Sequence, residues 1–357
     1  MSKSTLQDLL GLYLPVIQAP MAGSQDSELA LAVCQAGGLG SLPAATLSPA
    51  QLSAELDRLS REASGPWNVN FFCHQPPRPD AQRDAIWRAA LAPLCVEADL
   101  PPPEGPSLAA RAPFDAAVAD LVEPFRPPVV SFHFGLPAPE LLARVKSWGS
   151  KVLSSATTVE EAIWLQDHGV DAIIAQGLEA GGHRGIFLQD DLTTQLGTFA
   201  LLPQLVRAVN LPVIAAGGIA DAAGVAAARA LGASAVQVGT AYLLCPEART
   251  SALHRAALQS EAARHSALTN VFTGRPARGI VNRAMRVLGD DGTTGGCISR
   301  QAPAFPLAAT HLAPLRGWAE ALGRDDFTPL WAGQSYPLAR AMPAAELTRA
   351  LAEGWRG

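Results

Sequence analysis

The residues best placed to do chemistry lie in Ala172-Ile173-Ile174-Ala175-Gln176-Gly177-Leu178-Glu179-Ala180-Gly181-Gly182-His183-Arg184-Gly185. A short apolar run breaks there into a glycine-rich loop carrying one imidazole and one guanidinium. Paired glycines let backbone approach a ligand closely, with amide N–H groups free to face it. A histidine on such a loop can donate to a substrate, or take a proton from it, at neutral pH. The plainer alternative is a strand-to-helix turn exposing an ordinary His-Arg pair. Two more glycine loops, Ala216-Gly217-Gly218-Ile219 and Gln237-Val238-Gly239-Thr240, end apolar runs and lead into helical sequence. Amides at helix N-termini suit a phosphate dianion, and Thr240 adds a hydroxyl. Ordinary glycine punctuation of turns is the competing account.

A phosphate at those loops suggests a phosphorylated cofactor. Asn70 and Gln176 carry neutral amides that can hydrogen-bond a flavin's pyrimidine edge without fixing a charge. Ala19, Pro20, Met21 and Ala22 offer a flat apolar floor for its ring. Each residue alone says little; their placement at successive strand ends gives the weight. His133 also falls near a strand end, where it either faces the cofactor or serves structure. His74, His168, His254, His265 and His311 fall in helices or loops and read as surface or packing residues. No histidines stand at helical i, i+4 spacing with a carboxylate, so no catalytic metal is expected. Gly38-Leu39-Gly40 lacks the third glycine of a dinucleotide fingerprint, and neither a Walker A sequence nor a serine nucleophile elbow occurs.

The elements that must carry these groups follow a rhythm. Strands are expected at 15–18, 38–44, 66–73, 128–135, 151–156, 172–176, 212–216 and 235–238, each followed by helical sequence. Ser27 reads as the cap of the first helix after a strand, Thr158 and Asp221 as caps of later ones. Eight βα units over roughly 250 residues indicate a TIM (β/α)8 barrel, with a doubly wound sheet as runner-up because periodicity does not show closure. The division expected is a barrel over 1–262 and a C-terminal helical and loop extension over 263–357 that packs on the barrel and walls the site. A proline-rich insertion after the third strand, about 74–113, holds one helix (Asp80 to Leu91) and is too short for its own core. Gly289 to Gly296 reads as a mobile loop.

Composition bounds the rest. Of the 357 residues, 48% are hydrophobic and 17% charged, which describes a globular chain with a large core. A net charge of −5 argues against nucleic acid as the main partner. Five scattered cysteines without a C-x-x-C fit reduced thiols, and with a polar start and no long apolar run a cytoplasmic enzyme is expected, with no membrane partner.

With these residues in view, the sequence resembles the nitronate monooxygenase family, class I. The resemblance rests on Gln18-Ala19-Pro20-Met21-Ala22-Gly23, Asn68-Val69-Asn70-Phe71-Phe72, Val130-Ser131-Phe132-His133-Phe134-Gly135 and Glu179 to Gly185. Pro212 to Ile219, Gln237 to Thr240, Thr269 to Arg275 and Leu330 to Gly333 continue it, over nearly the full chain. It implies FMN as cofactor, used without NAD(P)H, and oxidation of alkyl nitronates such as propionate 3-nitronate. The chemistry then expected is one-electron transfer from the bound anion to FMN, with O2 reoxidising the flavin and attacking the organic radical to leave a carbonyl compound and nitrite. It implies that Asn70, Gln176, Gly181, Gly218, Gln237, Val238, Gly239 and Thr240 contact FMN, and Ala19, Pro20, Met21, Gly182 and Gly217 are expected beside them from their place at the strand ends. His183 is then the catalytic residue, meeting the substrate by a hydrogen bond or as a cation and expected to deprotonate a neutral nitroalkane more slowly; His133, from its place near a strand end, is the further candidate for a substrate or cofactor contact. Family pockets often include several tyrosines; this chain has only Tyr13, Tyr242 and Tyr336, which bears on pocket size. A monomer or homodimer is expected. An FMN-dependent NAD(P)H:quinone or enoyl reductase on the same barrel is the alternative, and a flavin-free sugar-phosphate lyase or isomerase stands further off.

Overall fold

The computed structural model describes residues 5–78, 80–107, 111–260, 265–289 and 297–356. Eight parallel strands form its centre: β1 (Val16–Gln18), β2 (Gly40–Pro43), β3 (Trp67–Phe72), β4 (Val129–His133), β5 (Lys151–Ala156), β6 (Ala172–Gln176), β8 (Val213–Ala216) and β9 (Ala235–Val238). β7 (Gly182–His183) lies outside this sheet. The strand order is β1-β9-β8-β6-β5-β4-β3-β2. Its two ends meet, because the Leu39 amide donates to Val16 O and the Gln18 amide to Leu39 O, both at 2.9 Å. The sheet is therefore a TIM barrel, and a doubly wound sheet, which would leave two unpaired edges, is excluded. Several strands begin one residue later than expected for one reason. Pro15, Pro66, Pro128 and Pro212 have no N–H to give a neighbouring strand, so pairing starts just after each.

The two-residue period of a strand decides what faces the barrel axis. Ile17, Val129, Leu153, Ala172, Ile174, Ile214, Ala216 and Ala235 share one interior cluster, which Leu6 and Leu10 of α1 (Leu6–Leu10) join. Their neighbours Val16, Val130, Val152, Ile173, Ala175, Val213 and Val236 pack outward on the helices. Counting on by two from the interior set reaches His133, Ser155, Gln176 and Gln237, near or at the strands' C-terminal ends. The same parity on β3 turns Asn68, Asn70 and Phe72 inward. Fully buried Asn68 is held by the hydroxyls of Ser41 (3.0 Å) and Ser131 (2.9 Å).

The outer layer is built from α2 (Ser27–Ala36), α3 (Pro49–Glu62), α5 (Ala116–Val122), α6 (Pro139–Ser147), α7 (Val159–Asp167), α8 (Thr198–Ala208) and α9 (Ala222–Ala230). Thr158 and Asp221 cap α7 and α9 as expected. α2 is capped by Asp26 instead of Ser27, its carboxylate accepting the Glu28 amide at 2.9 Å. α10 (Ala252–Gln259) follows β9, but α13 (Ala344–Arg356), at the chain's end, seats Leu347, Leu351 and Ala352 in the helix–barrel core. A Cβ on Gly354 would stand 2.0 Å from Ala222 O, so α13 lies directly against the start of α9. The residues after 263 thus supply part of the barrel's outer layer.

The tail also contains strands, which a helical and loop extension did not anticipate. β10 (Ser266–Thr269) and β11 (Ala277–Ile280) form an antiparallel ribbon, and β11 pairs with β7. The insertion helix α4 (Ala81–Glu97) runs six residues past the expected end and through Pro93. Its apolar face continues to Leu94 and Cys95, which share a second core with Phe272, Met285, Leu312 and Leu315 of the tail. That burial outweighs the hydrogen bond an interior proline removes. Trp87 in α4 is fully buried and its indole N–H donates to Ala308 O (3.3 Å) in α12 (Ala308–Ala321). α11 (Arg283–Gly289) ends at a buried glycine. Residues 290–296, most of the stretch expected to be mobile, lie outside the described residues, as do 261–264 at the expected domain boundary.

Candidate active site

A cavity opens at the C-terminal ends of the barrel strands, the end at which this fold places its chemistry. Its wall includes Ala19, Pro20, Met21, Asn70, His133, Gln176, Gly181, Gly182, His183, Gly217, Gly218, Gln237, Gly239 and Thr240. Of the residues singled out in the sequence only Val238 is absent from that wall. It follows inward-facing Gln237 by one residue, so its side chain turns outward into the helix–barrel core.

His183 sits on β7, where Gly182 and His183 pair with Arg278 and Ala277 of β11. Its carbonyl accepts from the Gln176 side chain (Nε2, 2.9 Å) and from His133 Nε2 (3.2 Å). Gln176 also accepts the Gly185 amide at Oε1 (2.8 Å), so both ends of that side chain hold the loop. Its amide is thereby a brace for His183 more than a free cofactor contact. His133 is a second brace: its Nε2 must donate to the carbonyl, which leaves Nδ1 to accept from Ser155 Oγ at 3.0 Å. Burial pushes His133 down to about 4, so the ring is neutral at pH 7. Arg184 is fully buried, donating to Gly177 O and Gln176 O (2.7 Å each) and to Gln195 Oε1. The picture of an exposed His-Arg pair fails, since the guanidinium satisfies carbonyls that the glycine loop leaves unpaired.

Gly181 is required by packing. A Cβ there would come within 2.5 Å of Gly333 N and 2.6 Å of Ala332 C. The tail segment around Trp331-Ala332-Gly333 therefore presses directly on the loop. The His183 ring is ringed by Phe305 (centroids 5.4 Å), Trp331 (5.6 Å), Phe134 (6.0 Å) and Phe72 (6.1 Å), and its Nε2 meets Thr273 Oγ1 at 2.9 Å. Burial holds this imidazole well below its usual pKa, and the charges of Arg111 and Arg275 act in the same direction. Both effects favour the neutral form of His183 at pH 7 while no anion is bound. The positive charge comes from elsewhere. Arg111 lines the cavity 5.9 Å from the Phe305 ring and has no carboxylate partner among the described residues. Arg275 lies 4.1 Å over the Phe134 ring and bonds Ile186 O.

Sequence reasoning missed Arg111, Thr273, Arg275, Phe305 and Trp331 as site residues. Arg111 sits in the proline-rich insertion and Phe305 far along the tail, where no local pattern marks them. A signal did exist at Phe134, beside a glycine in a strand-ending motif: its φ is +70°, a strained value for a bulky residue and one that concentrates at functional sites. His74 packs edge-on to Phe305 at 4.8 Å behind the cavity. No tyrosine lines the wall; the Tyr242 hydroxyl is buried against Thr348.

Elsewhere on the same wall, the glycine loops offer donors that fit a phosphorylated group. Gly217 and Gly218 have φ of +113° and +74°, and their amides, with those of Gly239 and Thr240, donate to no group among the described residues. Thr240 Oγ1 accepts from the Gly333 amide at 3.0 Å, so its own proton is free to point at an anion. The helix expected after the eighth barrel strand is a 3-10 turn, Thr240–Leu244, whose first N–H groups are likewise unpaired. Asn70 commits Nδ2 to Ser131 (Oγ 2.9 Å, O 3.1 Å) and leaves Oδ1 towards the cavity. The Gln237 side chain bonds no described residue.

Comparison with known proteins identifies this arrangement. The family profile described as nitronate monooxygenase matches residues 3–354. The chain belongs to the nitronate monooxygenase family. Proteins named nitronate monooxygenase from Paraburkholderia phytofirmans and Pseudomonas aeruginosa are each 42% identical to it, over 98% of this chain and 94% and 98% of theirs. The crystal structure of nitroalkane oxidase from Streptomyces ansochromogenes superposes with a TM-score of 0.86 at 37% identity, covering 99% of both chains. The nitronate monooxygenase family thus accounts for the whole chain, tail and insertion included.

Proposed function

We propose that the protein is an FMN-dependent nitronate monooxygenase that converts alkyl nitronates, with O2, to a carbonyl compound and nitrite. The observation that carries this reading is the pairing of a neutral imidazole with a guanidinium, Arg111, that has no carboxylate partner among the described residues, in one cavity. An anion entering that cavity would meet a charge that no carboxylate of the described residues neutralises. A nitronate is a resonance-stabilised carbanion, so the site needs no strong base to make it reactive. It needs only to hold the charged end and to exclude water, which Phe72 and Trp331 on the wall, with Phe134 and Phe305 packed around His183, would favour.

Gly217, Gly218, Gly239 and Thr240 would grip the FMN phosphate, Asn70 and Gln237 would meet the polar edge of its ring, and Ala19, Pro20 and Met21 would lie beneath it. Bound FMN would supply a one-electron acceptor that dioxygen restores. His183 would then orient the nitronate by a hydrogen bond, and Arg111 would fix its charge. A propionate 3-nitronate molecule would present its anionic groups to Arg111, the guanidinium on the cavity wall.

The test is an anaerobic spectrum of the purified, yellow protein, taken first with propionate 3-nitronate and then with NADH. Flavin reduction by the nitronate and not by NADH is expected. Rapid bleaching by NADH alone would move the assignment to a quinone or enoyl reductase, and a colourless protein that takes up no FMN would end the proposal.

A further inference from the structure

Buried serines and asparagines on β2, β3 and β4 fix the direction of one hydroxyl proton. Ser131 stands between Val129 and His133 on β4, so the two-residue period turns its side chain inward, and it lines the cavity at 1% exposure. Its hydroxyl has one proton and two lone pairs. Oγ accepts from Asn68 Nδ2 and from Asn70 Nδ2, at 2.9 Å each, which takes up both lone pairs. The other N–H of Asn68 goes to Ser41 Oγ at 3.0 Å, and the other N–H of Asn70 to Ser131 O at 3.1 Å. All four amide protons are thus spent, and both amides meet Ser131 as donors. The Ser131 proton has no acceptor among the described residues and is left to the cavity.

The far end of Asn68 decides which way its amide is turned. Asn68 Oδ1 is buried without a partner among the described residues. Turning the amide over would put an NH2 group with two protons at that place, and two stranded donors cost more than one stranded acceptor.

We propose that Ser131 binds the pyrimidine edge of the cofactor, donating its hydroxyl proton to a ring carbonyl and thereby raising the flavin's reduction potential. This rests on the reading of the cavity as an FMN site. A flavin's pyrimidine edge presents a carbonyl, an N–H and a second carbonyl in a row. Asn70 Oδ1 offers an acceptor to the cavity and Ser131 a donor, and the two side chains are locked together at 2.9 Å. They suit the ring N–H and a neighbouring carbonyl as a pair. Reduction adds electron density to those carbonyls, so a hydrogen bond to one of them strengthens as the ring gains electrons. A hydroxyl already oriented by two buried amides needs no reorganisation to supply it.

Ser131→Ala removes that donor but also strands one N–H each of Asn68 and Asn70, so a matched loss is needed beside it. Ser41→Ala supplies one: Ser41 is fully buried, accepts from the same Asn68 amide and is not on the cavity wall. Both variants should melt at a lower temperature than the unaltered protein. Only Ser131→Ala should move the flavin. Against a reference dye, its reduced-to-oxidised ratio at a given potential should fall about tenfold, equal to about 30 mV for two electrons, with Ser41→Ala within about twofold. In 13C spectra of bound FMN labelled at its two pyrimidine carbonyls, one signal should move upfield in Ser131→Ala and neither in Ser41→Ala. Ser131→Cys keeps the volume with only a weak S–H donor; it should shift both readouts the same way by less, and it decides the matter if the alanine variant retains no FMN. An unchanged potential or unmoved carbonyl signals in the Ser131 variants, or equal shifts in Ser41→Ala, would overturn the assignment and leave the functional reading intact. Failure of the unaltered protein to take up FMN would instead defeat that reading, and the assignment with it.

Discussion

Replacing Arg111 by glutamine removes a cavity-lining charge that has no carboxylate partner among the described residues, while keeping a polar side chain of similar reach. Its guanidinium lies 5.9 Å from the Phe305 centroid, and that ring lies 5.4 Å from the His183 ring, so the charge stands at most about 11 Å from the imidazole. A nitronate bound against His183 therefore feels it at about that distance or less. At an effective dielectric constant of about 20, unit charges 11 Å apart attract by about 1.5 kcal/mol, a factor of about ten in binding. Arg111→Gln should raise KM for a nitronate about tenfold and leave kcat within about twofold, because the charge is felt in ground and transition states alike. Arg111→Lys should recover most of the loss. A neutral nitroalkane gives the internal control, since its binding draws little on the charge. The assay is steady-state oxygen uptake at two ionic strengths, the shielded site making the effect only weakly salt-dependent. A KM unchanged in Arg111→Gln, or raised equally for the neutral substrate, would refute the electrostatic account.

Other consequences are checked more briefly. His183→Asn should keep its FMN, as judged by the visible spectrum, yet lose at least about a hundredfold in nitronate kcat/KM; full activity would remove the imidazole from the mechanism. Thr240→Val takes away the hydroxyl proton left free for an anion, and FMN should dissociate about tenfold more readily on dilution, the scale of one charge-assisted hydrogen bond; fluorescence of released flavin reads this, and unaltered retention would place the phosphate elsewhere. Burial holds His74 and His254 down to about 4, below the value near 6.5 of an unfolded histidine. The unfolded chain thus binds their protons first, so stability is complete above about pH 6.5 and is lost as pH falls towards 4. By pH 5 the loss is about 2 kcal/mol for each, and thermal scans should show the melting temperature declining from pH 7 to 5; a flat profile would contradict the sign.

The barrel was legible because its signals are local: apolar strands ending in glycine, caps such as Thr158 and Asp221, and prolines marking where pairing begins. Residues at the strand ends followed, since a two-residue period determines that Gln237 faces the axis and Val238 does not. What stayed hidden is what distant segments do to one another. Gln176 carries the amide expected of a ligand contact, yet spends it bracing the His183 loop, and only the fold shows the loop doubling back. The tail reads as an appendage but inserts β11 beside His183, presses Gly333 on Gly181 and completes the outer helices with α13. His183 shows the same limit most sharply. Its place on a glycine loop marks it as reactive, but its lowered pKa comes first from burial by distant segments and then from Arg111, 72 positions earlier, and its Nε2 meets Thr273, 90 positions later. A neighbour list read along the chain contains neither, so the sequence can name the reactive group while the tertiary contacts decide which reaction it is fit to perform.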